Sequence, residues 1–243
     1  MNSVSRPAQP FQDGRSEGRQ TFDRDVGSLK RRLVQEATAA VGMLEAALDA
    51  LWKLDSVAAR EVRRRDDSID REEVEIEQQC LRLLALQQPF ARDFRVITFI
   101  LKVNNDVERV ADHACSIAKI TTRLESARSP KWPTALQEMG QRVPAMCHTT
   151  MRAILDENTA LAGQIVGEDK TIDALEKRLF EETEQLMRED DSSLRAGLLI
   201  YRVGRELERI GDLMKNICED VIYLATGSIV RHEAKRASQA AKA

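Results

Sequence analysis

From about position 22 onward, apolar residues return at alternating intervals of three and four, as in helices that bury one face. The pattern is cleanest late in the chain, where Ile200, Val203, Leu207, Ile210, Met214, Ile217, Val221 and Leu224 form an unbroken coiled-coil seam. Ile100, Val103, Val107, Val110, Ala114 and Ile117 repeat it. Six helices are predicted, at 22–56, 59–87, 92–126, 134–157, 159–189 and 193–226. Pro89, Pro130 and Pro133 mark breaks between them, and the run EDDSS (189–193) supplies capping groups before the sixth. Pro144 is expected to disturb the fourth, so that its start lies later.

The periodicity conceals a duplication. The third and sixth helices align at an offset of 100, with Arg95/Arg195, Ile100/Ile200, Val103/Val203, Glu108/Glu208, Arg109/Arg209, Asp112/Asp212 and Ile117/Ile217 identical. The second and fifth align at 103, through Asp66/Asp169, Ile69/Ile172, Asp70/Asp173 and Glu73/Glu176. Short connections make neighbouring helices antiparallel. The expected architecture is all-α, two tandem three-helix bundles related by internal pseudo-symmetry. Residues 1–21 read as a disordered tail, 22–127 as the first three-helix repeat, 128–133 as a linker, 134–232 as the second repeat and 233–243 as a disordered tail.

Composition narrows the function classes. The 243 residues can bury a sizeable core, and only 4% of them are aromatic. Thirty-seven basic against forty acidic residues leave a net charge of -3, without the basic excess of a nucleic-acid binder. The N-terminus lacks an apolar signal core, and the apolar stretch starting at Val96 stops at Lys102, far short of the roughly 20 residues needed to span a bilayer. The expected location is cytoplasmic, with membranes reached only through partners. Cys80, Cys115, Cys147 and Cys218 are scattered and read as buried thiols, and His113, His148 and His232 share no register that suggests ligation.

The candidate chemistry is acidic. Glu108 and Asp112, and again Glu208 and Asp212, sit at i, i+4, where like charges oppose helix formation. Asp66, Asp70 and Glu73, and again Asp169, Asp173 and Glu176, form an i, i+4, i+7 stripe on the preceding helix of each half. With Val203 and Ile210 as d positions, Glu208 falls at b and Asp212 at f, so both point away from the apolar seam. Should the stripes of adjacent helices meet, at least four carboxylates converge, a donor set suited to a hard cation. Two other readings stay open. One is a solvated, salt-bridged face in which Arg109 pairs with Asp112, Arg209 with Asp212 and Arg205 with Glu208. The other is a carboxylate-bridged metalloenzyme, against which the outward b and f positions argue.

The stretches QQPFARDFR (87–95), NDVERVADHACSIA (105–118), ELERIGDLMKNICEDVIYLATG (206–227) and VRH (230–232) resemble the PhoU family, the accessory regulators of bacterial phosphate uptake. The resemblance covers about 22–232. It implies two three-helix bundles, dimers, and repression of the phosphate-starvation response through a phosphate ABC transporter and a sensor histidine kinase, without catalysis. It also implies metal bound at the family's acidic E/D-x-x-x-D pairs, which fall on Asp66, Asp70, Glu108 and Asp112 and on Asp169, Asp173, Glu208 and Asp212. The metal it implies is a divalent or trivalent ion such as Fe, Zn, Mn or Mg. Ala111 replaces the usual Gly, Ser116 stands where Asn216 is kept in the other half, and Leu213 replaces the common His, leaving the carboxylate spacing intact.

Overall fold

The computed structural model describes residues 13–124, 131–189 and 193–229, with side chains from Arg19 on. Among these described residues seven helices succeed one another: α1 Asp13–Lys53, α2 Ser56–Arg64, α3 Asp66–Gln87, α4 Arg92–Leu124, α5 Thr134–Asp156, α6 Thr159–Glu189 and α7 Leu194–Thr226. The all-α expectation holds, with three corrections. Residues 13–21 of the expected disordered tail belong to α1, and Arg19 there pairs with Asp93 at the start of α4. The second predicted helix is two, because the chain bends at Arg65, whose amide bonds back to the Val62 carbonyl. The fourth runs through Pro144 from Thr134 instead of starting after it. The expected C-terminal tail, His232 and all of the linker except 131–133 lie outside the described residues.

The repeat extends into the turns. Leu54 (φ 52°) and Glu157 (φ 46°) both take left-handed backbone at the end of the first helix of their half. Asp55 and Asn158 follow, and each side-chain Oδ1 accepts from the two amides that open the next helix, at 2.9 Å for both Val57 and Ala58, and at 3.0 and 3.1 Å for Ala160 and Leu161. These are N-caps that satisfy otherwise orphaned donors.

All fourteen seam positions named from α4 and α7 are buried. In the first half α1, α3 and α4 pack together; in the second α5, α6 and α7 do. The two bundles also meet directly, α4 against α7 and α1 against α5, so the buried apolar side chains form one continuous core. Across this seam His113 meets Glu206 at 2.7 Å and Lys102 meets Asp220 at 3.4 Å, which sets α4 and α7 antiparallel. Trp52 and Trp132 stack edge-to-face at 5.2 Å. Among the described residues, no helix is long and apolar enough to cross a membrane.

Candidate functional site

The helices α3 and α4 of the first half, and α6 and α7 of the second, lie antiparallel with their acidic stripes facing. In the first half, the Asn104 side-chain amide on α4 donates to the Glu73 carbonyl of α3 at 2.9 Å, which holds the two helices in register. Asp66, Asp70 and Glu73 of α3 therefore stand opposite Glu108 and Asp112 of α4. Asp70 and Asp112 are exposed, while Asp66, Glu73 and Glu108 are half-buried in the crevice. The charges feel one another. Burial, and then the charges of Asp66 and Asp112, push the Asp70 carboxyl up. Burial, followed by Asp112, Asp70, Glu73 and Asp66, does the same to Glu108. Glu73 is raised by burial and then by Glu77 and Asp70.

A sixth carboxylate joins from α1. Glu36 is only 3% exposed, and both of its oxygens lack a hydrogen-bond partner. Burial, and then the negative charges of Glu72, Glu73 and Glu108, push its carboxyl up to about 8. The nearest guanidinium, Arg32, is committed elsewhere, to Glu72 and Glu75 at 2.6 Å each. A sequence signal for Glu36 existed: it is the one charged residue in the seam Leu29, Leu33, Glu36, Ala40, Met43, Ala47 and Ala50. Among the described residues none of Asp66, Asp70, Glu73, Glu108 or Asp112 forms an ion pair. Burial, and then the Asp66 carboxylate, push the Cys115 thiol up to about 12. Asp66 Oδ1 and Asn104 Oδ1 stay buried and unpartnered.

The second half looks alike in sequence but not in charge. Asp169, Asp173 and Glu176 of α6 face Glu208 and Asp212 of α7, yet here Lys215 donates to Asp169 at 2.5 Å. Arg205 lies 3.3 Å from Glu208 and 3.6 Å from Glu176, and the Tyr201 hydroxyl also donates to Glu176. Asp212 is raised by burial and by Asp169, with Lys215 opposing. Glu208 is raised by burial, with Arg205 opposing. At the repeat offset of 100, Cys115, Asn105 and Leu101 occupy the places of Lys215, Arg205 and Tyr201.

Of the three expected i, i+3 pairs, one forms. Arg205 does reach Glu208, but Arg109 and Arg209 turn back toward Asp106 (3.8 Å) and Glu206 (4.0 Å) and leave Asp112 and Asp212 alone. The outward placement holds for the exposed Asp112 and Asp212, whereas Glu108 and Glu208 lie half-buried against the neighbouring helix. Among the described residues, no three His, Cys, Asp or Glu side chains stand close enough together, as placed, to hold one metal ion.

The PhoU domain matches residues 33–121 and 136–221, one stretch in each structural half. The chain belongs to the PhoU family. A phosphate-specific transport system accessory protein PhoU homolog of Clostridium acetobutylicum is 35% identical over 213 residues, covering 87% of this chain and 97% of that protein. The homolog of the same name from Pseudomonas aeruginosa is 34% identical over 214 residues, 88% of each chain. A crystal structure of PhoU from Pseudomonas aeruginosa superposes with a TM-score of 0.82 at 33% identity, covering 85% of this chain and all of that one. The regulatory protein PhoU from Streptococcus pneumoniae gives 0.78 at 27% identity, covering 86% and 99%. These relatives are named as accessory and regulatory proteins of phosphate transport, and none of these names is that of an enzyme. As a PhoU fold, the chain thus carries one acidic crevice per matched stretch, and a buried carboxylate oxygen without a hydrogen-bond partner stands in each, Asp66 Oδ1 in the first and Glu208 Oε2 in the second.

Proposed function

We propose that this PhoU-family chain is a cytoplasmic negative regulator of phosphate uptake and of the phosphate-starvation response, acting on a phosphate ABC transporter and a sensor histidine kinase. The observation that carries the reading is the match of both halves, in order, to a family whose members are named for the phosphate-specific transport system. With no excess positive charge for DNA and no membrane-spanning helix among the described residues, the chain acts through other proteins. Its exposed carboxylates, Asp70, Asp112, Asp173 and Asp212, offer a surface to a basic patch on such a partner. A multivalent ion, Fe, Zn, Mn or Mg, bound among the crevice carboxylates completes the reading, as does a homodimer.

Deleting the gene is expected to derepress phosphate-scavenging genes when phosphate is ample. Unchanged phosphate-regulated expression in a clean deletion strain would sink the regulatory reading. Co-purification with the transporter or kinase is expected to weaken as salt rises, because rim charges are screened over about 10 Å at 0.1 M ionic strength.

One observation favours a second reading, a metal-free helical adaptor: among the described residues, as placed, no three ligands close on a point. Elemental analysis of protein purified without chelator separates the two. The metalloenzyme reading gains no such support, since a cavity of about 270 Å³ bounded by Leu33, Val34, Phe99, Ile154, Leu155 and Leu224 has no carboxylate in its lining.

A further inference from the structure

Between the two halves lies a cavity that shares no residue with either acidic crevice. It measures about 270 Å³ and is lined from both bundles, by Leu33, Val34 and Phe99 of the first and by Ile154, Leu155 and Leu224 of the second. Leu33, Phe99 and Leu224 are buried and form its floor, whereas Leu155 is 61% exposed and stands at the mouth. Lys30, Arg31 and Gln35 of α1 complete the lining, and among the described residues no acidic side chain takes part in it. We infer that this cavity is a binding site for a small amphipathic anion, a free medium-chain carboxylate whose hydrocarbon tail lies on the apolar floor and whose head group meets Arg31.

Size, polarity and charge each narrow the occupant. The volume exceeds that of the roughly 150 Å³ apolar cavity that accepts benzene and lies near the lower end of the roughly 300–1,000 Å³ range of small-molecule pockets. It admits one short chain and not the two long chains of a phospholipid. The floor of leucine, isoleucine, valine and phenylalanine offers no hydrogen bond, so a sugar, a nucleotide or inorganic phosphate would lose its hydration there without replacement. Charge then selects the head group. Lys30 lies 2.9 Å from Glu157 and Arg92 lies 2.8 Å from the same carboxylate, so Glu157 is paired twice. Arg32 is engaged with Glu72 and Glu75, whereas Arg31 between these two cations forms no ion pair among the described residues. The ends of α5 and α7 also reach the cavity, and a helix C-terminus carries roughly half a negative charge. Both ends are capped, by the Glu157 and Asn158 amides on the Ile154 and Ala153 carbonyls and by the Gly227 amide on that of Tyr223. The free guanidinium and the doubly paired carboxylate thus leave the mouth positive. A carboxylate gives Arg31 a charge-assisted partner that a neutral or cationic amphiphile does not. Neither the regulatory reading nor metal in the crevices is needed for such a site. Its ligand would touch α1 and α4 on one side and α5 and α7 on the other, and so bridge the two bundles.

The test is isothermal titration calorimetry of the whole chain with sodium decanoate below its micelle concentration, with decanol as the uncharged analogue. Wild-type protein is expected to bind one decanoate per chain, and decanol more weakly. Val34→Trp, which fills the cavity, should abolish binding of both. Arg31→Gln changes an exposed residue without an ion pair, and it keeps the test decisive should the tryptophan variant misfold. It should weaken decanoate about 2- to 5-fold, the weight of a solvent-exposed ion pair, and leave decanol unchanged. Decanoate binding to a folded Val34→Trp chain at wild-type strength would put the ligand elsewhere, and equal decanoate affinity of wild type and Arg31→Gln would remove the role of the anionic head. Either result overturns the inference. So does the absence of one-to-one decanoate binding to wild type, whether the chain then binds only phosphatidylglycerol vesicles or takes up decanoate only when diluted from dimer to monomer, which would assign the cavity to a second copy.

Discussion

Glu36 makes the stability of the metal-free protein depend on pH. Its carboxyl is pushed up to about 8 by burial and by the neighbouring carboxylates, whereas in the unfolded chain an ordinary Glu titrates near pH 4.3. Below that lower value both states hold the proton and the contribution is level. Between it and pH 8 the unfolded chain has released the proton and the folded chain keeps it, so stability falls as pH rises, by on the order of a few kcal/mol. Urea unfolding of chelator-treated protein at several pH values should show this decline, and Glu36→Gln should flatten it and raise stability at pH 8. Lys215 is the opposite case, a cation whose loss leaves the buried Asp169 alone. Its side chain is 32% exposed, so Lys215→Met should cost about 1–3 kcal/mol, between the values for surface and buried pairs. Urea denaturation at neutral pH checks that range.

At the scale of the helix, the seam and the acidic face of α7 carry different loads. Met214 is 4% exposed within the apolar seam, so Met214→Ala should cost about 2–5 kcal/mol through lost contacts and the cavity left behind. Asp212, two residues away, is exposed and repelled by Asp169, so Asp212→Ala should leave thermal stability unchanged or slightly raised. Equal losses in metal-free protein would contradict this assignment of faces. Close contact of α6 with α7 depends on Gly204, where a Cβ would lie 2.0 Å from the Leu179 side chain. Leu179 is fully buried and must shift to admit that methyl, so Gly204→Ala is expected to cost roughly 1–3 kcal/mol by overpacking, read as a lowered melting temperature.

At the scale of the molecule, the two bundles are halves of one packed body. The faces of α4 and α7 are buried against each other as well as within their own bundles, and the His113–Glu206 and Lys102–Asp220 pairs cross the same seam. A fragment holding only the second half, from residue 131 on, would expose the α7 surface that α4 covers and the α5 surface that α1 covers. It is expected to lack a cooperative thermal transition, as followed by far-UV circular dichroism, although it contains a full PhoU repeat. A sharp two-state transition of that fragment would show that each bundle is stable alone.

Helix type, the buried face of each helix and the twofold repeat were legible in the chain itself, because a helix brings i, i+3 and i+4 together whatever surrounds it. The seam from Ile200 to Leu224 and the stripes Asp66/Asp70/Glu73 and Asp169/Asp173/Glu176 are local facts of that kind. The bend at Arg65 and the passage of α5 through Pro144 were not, since packing against neighbours decides whether a marginal turn stays helical. Nor was the balance of charge in the crevices. Glu36 meets Glu108 across 72 residues of chain and Lys215 meets Asp169 across 46, and only the docking of one helix on another puts those groups in reach. Periodicity determined that each half presents two acidic faces. Tertiary packing decided that one crevice is left with unpaired negative charge while the other is closed by a lysine, because Coulombic pairing depends on distance in space and not on spacing along the chain.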